Sequence, residues 1–233
     1  MDAGAITSAF NRCTLPLRTS TLPTGYSSRC TAFGTCALVV LKVSNQPPQM
    51  ILNVRSATLA ETAGLDHVIP AGTFQPMQDD RFLDREFSLT ENLVREFAEE
   101  LFNDAGISGH EAKRLVLASL DDLYGPVGKE FRAKIIHQNR YKLLYLGTVI
   151  DPVNLKPEAL TVFLLHQGYL MSVSGLDLEP SPETDESGIQ PHEFSEERLD
   201  SLISSSNMVP TGKAHLMLVK KHFSYLMSEL ASI

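Results

Sequence analysis

The apolar positions of this chain fall into short runs of two periods, separated by polar, turn-forming stretches. Cys36–Val43 (CALVVLKV) and Met50–Val54 (MILNV) are strand-sized and rich in β-branched residues. Ser44-Asn45-Gln46-Pro47-Pro48 joins them, so the pair predicts a hairpin. His67-Val68-Ile69 followed by Pro70-Ala71-Gly72 predicts a strand entering a tight loop. Gln75–Glu86 is polar with no usable period and predicts a loop. The clearest helix is Ser88–Asn103. Ser88 is a natural N-cap, Glu91 completes a capping box, and Leu89, Leu93, Val94, Phe97, Ala98 and Leu101 make one apolar stripe.

Further helices are predicted over His110–Leu123, Val127–Gln138, Phe194–Ile203 and Ala214–Leu230. In the last, Leu216, Val219, Phe223 and Leu226 recur at helical spacing. Tyr141–Ile150 and Leu160–Leu165 predict two more strands. Gly175–Pro191, acidic and Pro-containing, reads as a solvated loop or linker. Strands, a helix, strands and then C-terminal helices describe an α/β protein with a mixed sheet between helical layers.

Composition narrows the class. With 233 residues, 43% hydrophobic and 21% charged, the chain is an ordinary globular one, long enough for a sizeable core. The net charge of −8 argues against direct nucleic-acid binding, and no apolar run is long enough to span a membrane. No acidic residue lies between Asp2 and Glu61, and the opening stretch is rich in Ser and Thr. Residues 1–35 therefore read as a poorly ordered arm, with a transit peptide as the alternative, and 36–233 as a single domain. Cys13, Cys30 and Cys36 have neither disulfide nor zinc spacing and read as free thiols in a reducing cytoplasm. The histidines are scattered and read as surface or core residues.

The chemistry-bearing segment is Arg95–Asn103, REFAEELFN. Glu96, Glu99 and Glu100 stand at i, i+3 and i+4 and share a helix face away from the Leu/Phe stripe. Three carboxylates in one turn repel one another. Arg95 is placed to pair with Glu99, and a hard divalent cation would offset the rest, because Mg²⁺ takes oxygen ligands and leaves positions for substrate phosphates. A merely solvated acidic face is the alternative.

With its context, this segment resembles the Nudix family. That family's box has a leading Gly, a middle Glu, and then Arg-Glu-apolar-x-Glu-Glu-x-Gly-apolar. Here a strand and Gly turn (Val68-Ile69-Pro70-Ala71-Gly72), a loop and a capped helix follow in the family's order. The resemblance matches Gly72 to the leading Gly, Arg95 to the Arg, and Glu96, Glu99 and Glu100 to the metal-binding acids. It implies a Nudix-like α/β/α sandwich, Mg²⁺ or Mn²⁺ as cofactor, a nucleotide-like small molecule as partner and a homodimer as candidate assembly. The stretches Val68–Pro76, Asp84–Leu89, Val94–Leu101 and Ile150–Glu158 further resemble a divergent bacterial Nudix-like group often associated with regulatory modules.

The sequence also departs from the pattern. The interval from Gly72 to Arg95 is longer than in the box, Phe87 stands at the middle Glu with Glu86 beside it, and Phe102 stands at the late Gly. Gly72, Glu86 and Lys156 are the candidate substrate-binding residues. Asp79, Asp80, Asp84 and Glu86 are candidates for a general base, and Lys156 with Glu158 could border the pocket or simply belong to a Pro-bounded turn. Three readings follow: a Mg²⁺-dependent hydrolase of a nucleoside diphosphate linked to another moiety, a Nudix-like nucleotide or nucleotide-sugar sensor without turnover, or an α/β scaffold with a solvated acidic face.

Overall fold

The computed structural model describes residues 33–56, 63–74, 88–102, 121, 124–150, 156–173 and 184–233, all within the unit Phe33–Ile233. The arm, the 75–86 loop and the predicted helix over 110–123, apart from Asp121, lie outside the described residues.

The sheet is organised by β1 (Gly34–Lys42), which is buried along almost its whole length. A strand covered on both faces reads as a continuous apolar run, as this one does. Cys36, Leu38 and Val40 point to one core and Ala37, Val39 and Leu41 to the other. On one side β1 pairs in parallel with β6 (Pro157–His166), which in turn pairs antiparallel with β5 (Tyr141–Ile150). On the other side it meets β2 (Gln49–Arg55) through Val40↔Met50 and Leu41↔Gln49, the predicted hairpin. Asn45 takes a left-handed φ of 58° in the connecting turn, a conformation Asn tolerates well.

β1 and β2 then part, and the fork is filled by β3 (Asp66–Val68) and β4 (Ala71–Thr73). β3 pairs with β2 and β4 pairs with β1, giving, with β7 (Thr184–Glu193), a sheet of seven strands among the described residues. The Ile69–Pro70 peptide between them is cis, and the Ala37 N–H donates to the Pro70 carbonyl at 2.8 Å.

Helices cover both faces. α1 (Leu89–Phe102) and α2 (Pro126–Phe131), which runs into a π-helical turn at Arg132–Ile136, pack on the Ala37 face. The short α3 (Gln167–Leu170) follows β6. α4 (Glu196–Ser204), α5 (Pro210–Lys221) and α6 (Phe223–Ala231) pack on the Cys36 face. The result is an α/β/α sandwich with a mixed sheet. None of the helices among the described residues is long and apolar enough to cross a membrane.

Two expectations are corrected. The stretch read as a solvated loop contributes β7 (Thr184–Glu193), antiparallel to β2 with Pro191 opposite Ile51. Its acidic, Pro-bearing sequence hides a strand because a strand needing only one ladder tolerates a missing N–H. The single helix expected over Ala214–Leu230 is two, broken at His222, whose φ of −106° and ψ of 13° leave the helical region. The apolar spacing runs through the break, so periodicity does not reveal it. The bend lets Leu226 and Leu230 reach the core and brings Phe223 to 5.0 Å from Phe194, ring centre to ring centre.

The Cys36 face holds a buried polar group. The His215 Nδ1 lies 3.4 Å from the Cys36 Sγ, and the His67 Nε2 lies 3.4 Å from the Thr211 Oγ1. Burial pushes the Cys36 thiol up and keeps it protonated. Burial also lowers the His67 pKa to about 4 and the His215 pKa to about 3, so both rings are neutral in the fold. An unfolded histidine titrates near 6.5 and takes up a proton that the folded ring refuses until the pH is much lower. Stability is therefore complete above pH ~6.5 and falls as pH drops from there toward 4 and below, by about 1.4 kcal/mol per pH unit for each ring. Urea denaturation at steps between pH 7.5 and 4.5 should show this decline, with a flatter slope in His67→Gln/His215→Gln; equal slopes would mean that neither ring is held neutral.

Candidate functional site

Glu96 and Glu100 are turned onto β4, because α1 lies along its outer edge. Glu96 is buried, and its carboxylate rests directly on the backbone of Gly72. A Cβ built on Gly72 would stand 2.1 Å from the Glu96 Cδ and 2.2 Å from its Oε2. The missing side chain is what lets the carboxylate lie this close; a methyl here would push the end of the Glu96 side chain aside. One helical turn further on, Glu100 accepts a hydrogen bond from the Ala71 N–H at 2.8 Å.

Arg95 is also buried. It donates to the Glu96 Oε1 at 2.9 Å and stands 3.7 Å from the Glu99 Oε1, the predicted i,i+4 pair. The Glu96 contact is the shorter. Of the three acids, Glu99 has the side chain 35% exposed, against 12% for Glu96.

A second charged pair lies on the opposite face. Gly34 pairs with Glu158 across the β1–β6 ladder and with Thr73 across the β1–β4 ladder. A Cβ on Gly34 would meet both the Glu158 Cγ and the Lys156 Cε at 2.7 Å. Lys156 and Glu158 are 3.8 Å apart and lie on the Cys36 face, whereas Glu96 lies on the Ala37 face. Two glycines in neighbouring rungs thus let a charged side chain lie flat on each side of the sheet. Lys156, a candidate substrate contact, lies over Gly34, with the sheet between it and Glu96.

At the start of α1, Arg132 is held by Glu91 and Asp121 and stacks at 4.7 Å over the Tyr124 ring. Sequence reading passed over this network because Glu91 and Arg132 are far apart in the chain. Phe102, standing where the family pattern has Gly, is core. It packs edge-on against Phe97 at 5.3 Å and Phe131 at 5.7 Å. Asn92 and Thr35 were missed as well, and they complete the contact of α1 with the sheet. Spacing could have found Asn92, which stands four residues before Glu96, but Thr35 requires the strand register. Glu86, Asp79, Asp80, Asp84 and Phe87 lie outside the described residues.

Carboxylate oxygens are the donors a hard divalent cation takes, and here those of Glu96 lie on Gly72 and one of Glu100 on the Ala71 N–H. Glu96 and Glu100 reach adjacent residues of β4. Among the described residues, no group of three or more His, Cys, Asp or Glu is drawn together as a metal site.

No protein-family model matches this sequence, and no match is found among curated proteins. The solved structures to which it is similar include Nudix and MutT proteins. A mutT/nudix family protein from Listeria innocua aligns with TM-score 0.44 and 14% identity, covering 87% of this chain and 98% of that one. The NUDIX domain of Shewanella oneidensis NrtR, complexed with ADP ribose, aligns with TM-score 0.45 and 12% identity, covering 89% and 95%. The MutT protein from Methanosarcina mazei Go1 aligns with TM-score 0.43 and 15% identity, covering 84% and 99%. In the longer NrtR structure the match spans 64% of that chain.

The Gly72–Glu96 contact makes a direct prediction. Gly72→Ala drives a methyl into the carboxylate, and Glu96→Ala makes room for it. The double variant should be more stable than the sum of the single effects by about 1 kcal/mol, within the range found for residues in contact. Urea denaturation of the four proteins measures the difference, and strict additivity would place the Glu96 carboxylate elsewhere.

Proposed function

We propose that this chain is a Nudix-like, Mg²⁺-dependent hydrolase of a nucleoside diphosphate linked to another moiety. The observation that carries this reading is the seating of Glu96 on Gly72 and Glu100 on the Ala71 N–H. Two of the helix acids are brought to one short strand, and Arg95 is buried beside them. A purely solvated acidic face would not bury Glu96 against a strand or turn Glu100 onto that strand's N–H, so the scaffold reading is the weaker one.

In this reading Glu96 and Glu100 hold the cation, which when bound offsets diphosphate charge and lowers the pKa of a coordinated water. Arg95 holds the Glu96 carboxylate in place and limits repulsion among the acids. Glu99, more exposed than Glu96 and farther from Arg95, is the acid on α1 best able to accept a proton from water.

A second reading is a nucleotide or nucleotide-sugar sensor that binds without turnover. Two observations favour it. Arg95 and the Ala71 N–H already engage Glu96 and Glu100, and the late Gly of the box is replaced by the core residue Phe102.

One experiment separates the two. The protein is incubated with a panel of nucleoside diphosphate conjugates that includes ADP-ribose and nucleotide sugars, with and without Mg²⁺. Phosphate-containing products and melting temperature are followed together. The hydrolase reading expects Mg²⁺-dependent product, reduced at least about a hundredfold in Glu99→Gln and in Glu100→Gln. A rise in melting temperature without product supports the sensor. Neither response across the panel would overturn both.

A further inference from the structure

The contact between α1 and β4 is a row of side chains rather than a single bond. In the β1–β4 ladder, the Phe74 N–H donates to the Phe33 carbonyl at 2.7 Å, and the Ala37 N–H donates to the Pro70 carbonyl. With Thr35 opposite Gly72, the alternation of an antiparallel pair turns the Ala71 N–H and the Thr73 C=O away from β1. Those are the two groups that α1 takes. Glu100 accepts from Ala71, and the Asn92 Nδ2 donates to the Thr73 carbonyl at 3.3 Å. Glu96 lies on Gly72 between them. Asn92, Glu96 and Glu100 stand at i, i+4 and i+8, a single row along the helix, read against three consecutive strand residues in reverse order.

Both polar ends of Asn92 are used. It is 4% exposed, and its Oδ1 accepts from the Thr35 Oγ1 at 2.6 Å. It therefore ties α1 to β1 and to β4 at once. The carbonyl of Thr73 can only accept, so it requires the amide nitrogen on its side and settles which way the side chain faces. An aspartate at this position would be a near-isostere that sets a carboxylate oxygen against that carbonyl. A helix turned by one residue would swing each side chain by about 100° and carry Glu96 off Gly72 and Glu100 off Ala71 together.

We propose that Asn92 is a positioning residue: by bridging Thr35 and Thr73 it sets the register of α1 against β4, and so seats Glu96 on Gly72 and Glu100 on Ala71. This rests on the reading of Glu96 and Glu100 as the working acids of the site. Groups that hold metal ligands in place commonly contribute about ten- to a hundredfold to metal affinity without touching the ion.

The test uses the full chain with Asn92→Asp, and with Thr35→Val as a second variant that removes only the hydroxyl donor. Two quantities are read: amide hydrogen exchange at Ala71 and in the β1 core, and Mn²⁺ affinity from water-proton relaxation. Expected for Asn92→Asp are Ala71 exchange at least about tenfold faster, β1 amides still protected, and Mn²⁺ binding weakened about tenfold or more. Thr35→Val should shift both in the same direction by less, and it decides the matter if Asn92→Asp does not fold. Unchanged Ala71 exchange overturns the proposal. So does faster exchange with Mn²⁺ affinity intact, since Asn92 would then serve stability alone. If the parent protein takes up no Mn²⁺, the hydrolase reading falls, and Ala71 exchange by itself decides whether Asn92 sets the register.

Discussion

Everything at the candidate site depends on how the outer edge of β4 is satisfied. A strand in a fork has backbone groups that its one ladder cannot reach, and leaving them buried without partners costs about as much as a lost hydrogen bond each. Here a helix supplies the partners through Asn92 and Glu100. Because one of those partners is a carboxylate, and the residue between them is a glycine under another, satisfying the edge also concentrates negative charge at one place. The helix stripe of Leu93, Val94, Phe97 and Leu101 anchors the arrangement from below through the core it shares with Ala37 and Val39.

The sandwich explains how such a charge cluster is supported. β1 is central and buried on both faces, so its N-terminal end is a rigid base for whatever is built on it. On one face Gly72 admits Glu96; on the other Gly34 admits Glu158 and Lys156. The neutral Cys36–His215 contact lies beneath the same end of β1, where Cys36 pairs with Ala71. Charges thus cluster at the sheet's end and uncharged polar groups are kept inside, as the cost of burying an unpaired charge requires.

Much of this was legible in the residues. The hairpin, α1 with its Ser88 N-cap, and the strands β5 and β6 follow from period and turn chemistry, and the sharing of one helix face by Glu96, Glu99 and Glu100 follows from spacing alone. Arg95 did pair with Glu99, but its shorter contact is to its neighbour Glu96, a choice made by burial and not by helix geometry. β7 was hidden because an acidic, Pro-bearing stretch has no strand signature until a neighbour offers it a ladder. The break at His222 was hidden because the apolar repeat continues through it.

Local sequence by itself determined where most of the helices and strands form and that three acids and an arginine occupy one helical turn, because those are properties of periodicities a few residues long. What those acids meet was decided by the tertiary structure. The register of β4 on β1, the laying of α1 along β4, and the separation of Lys156 from Glu96 by the sheet depend on contacts between residues far apart in the chain. No spacing rule within a single segment encodes which backbone groups another segment leaves open.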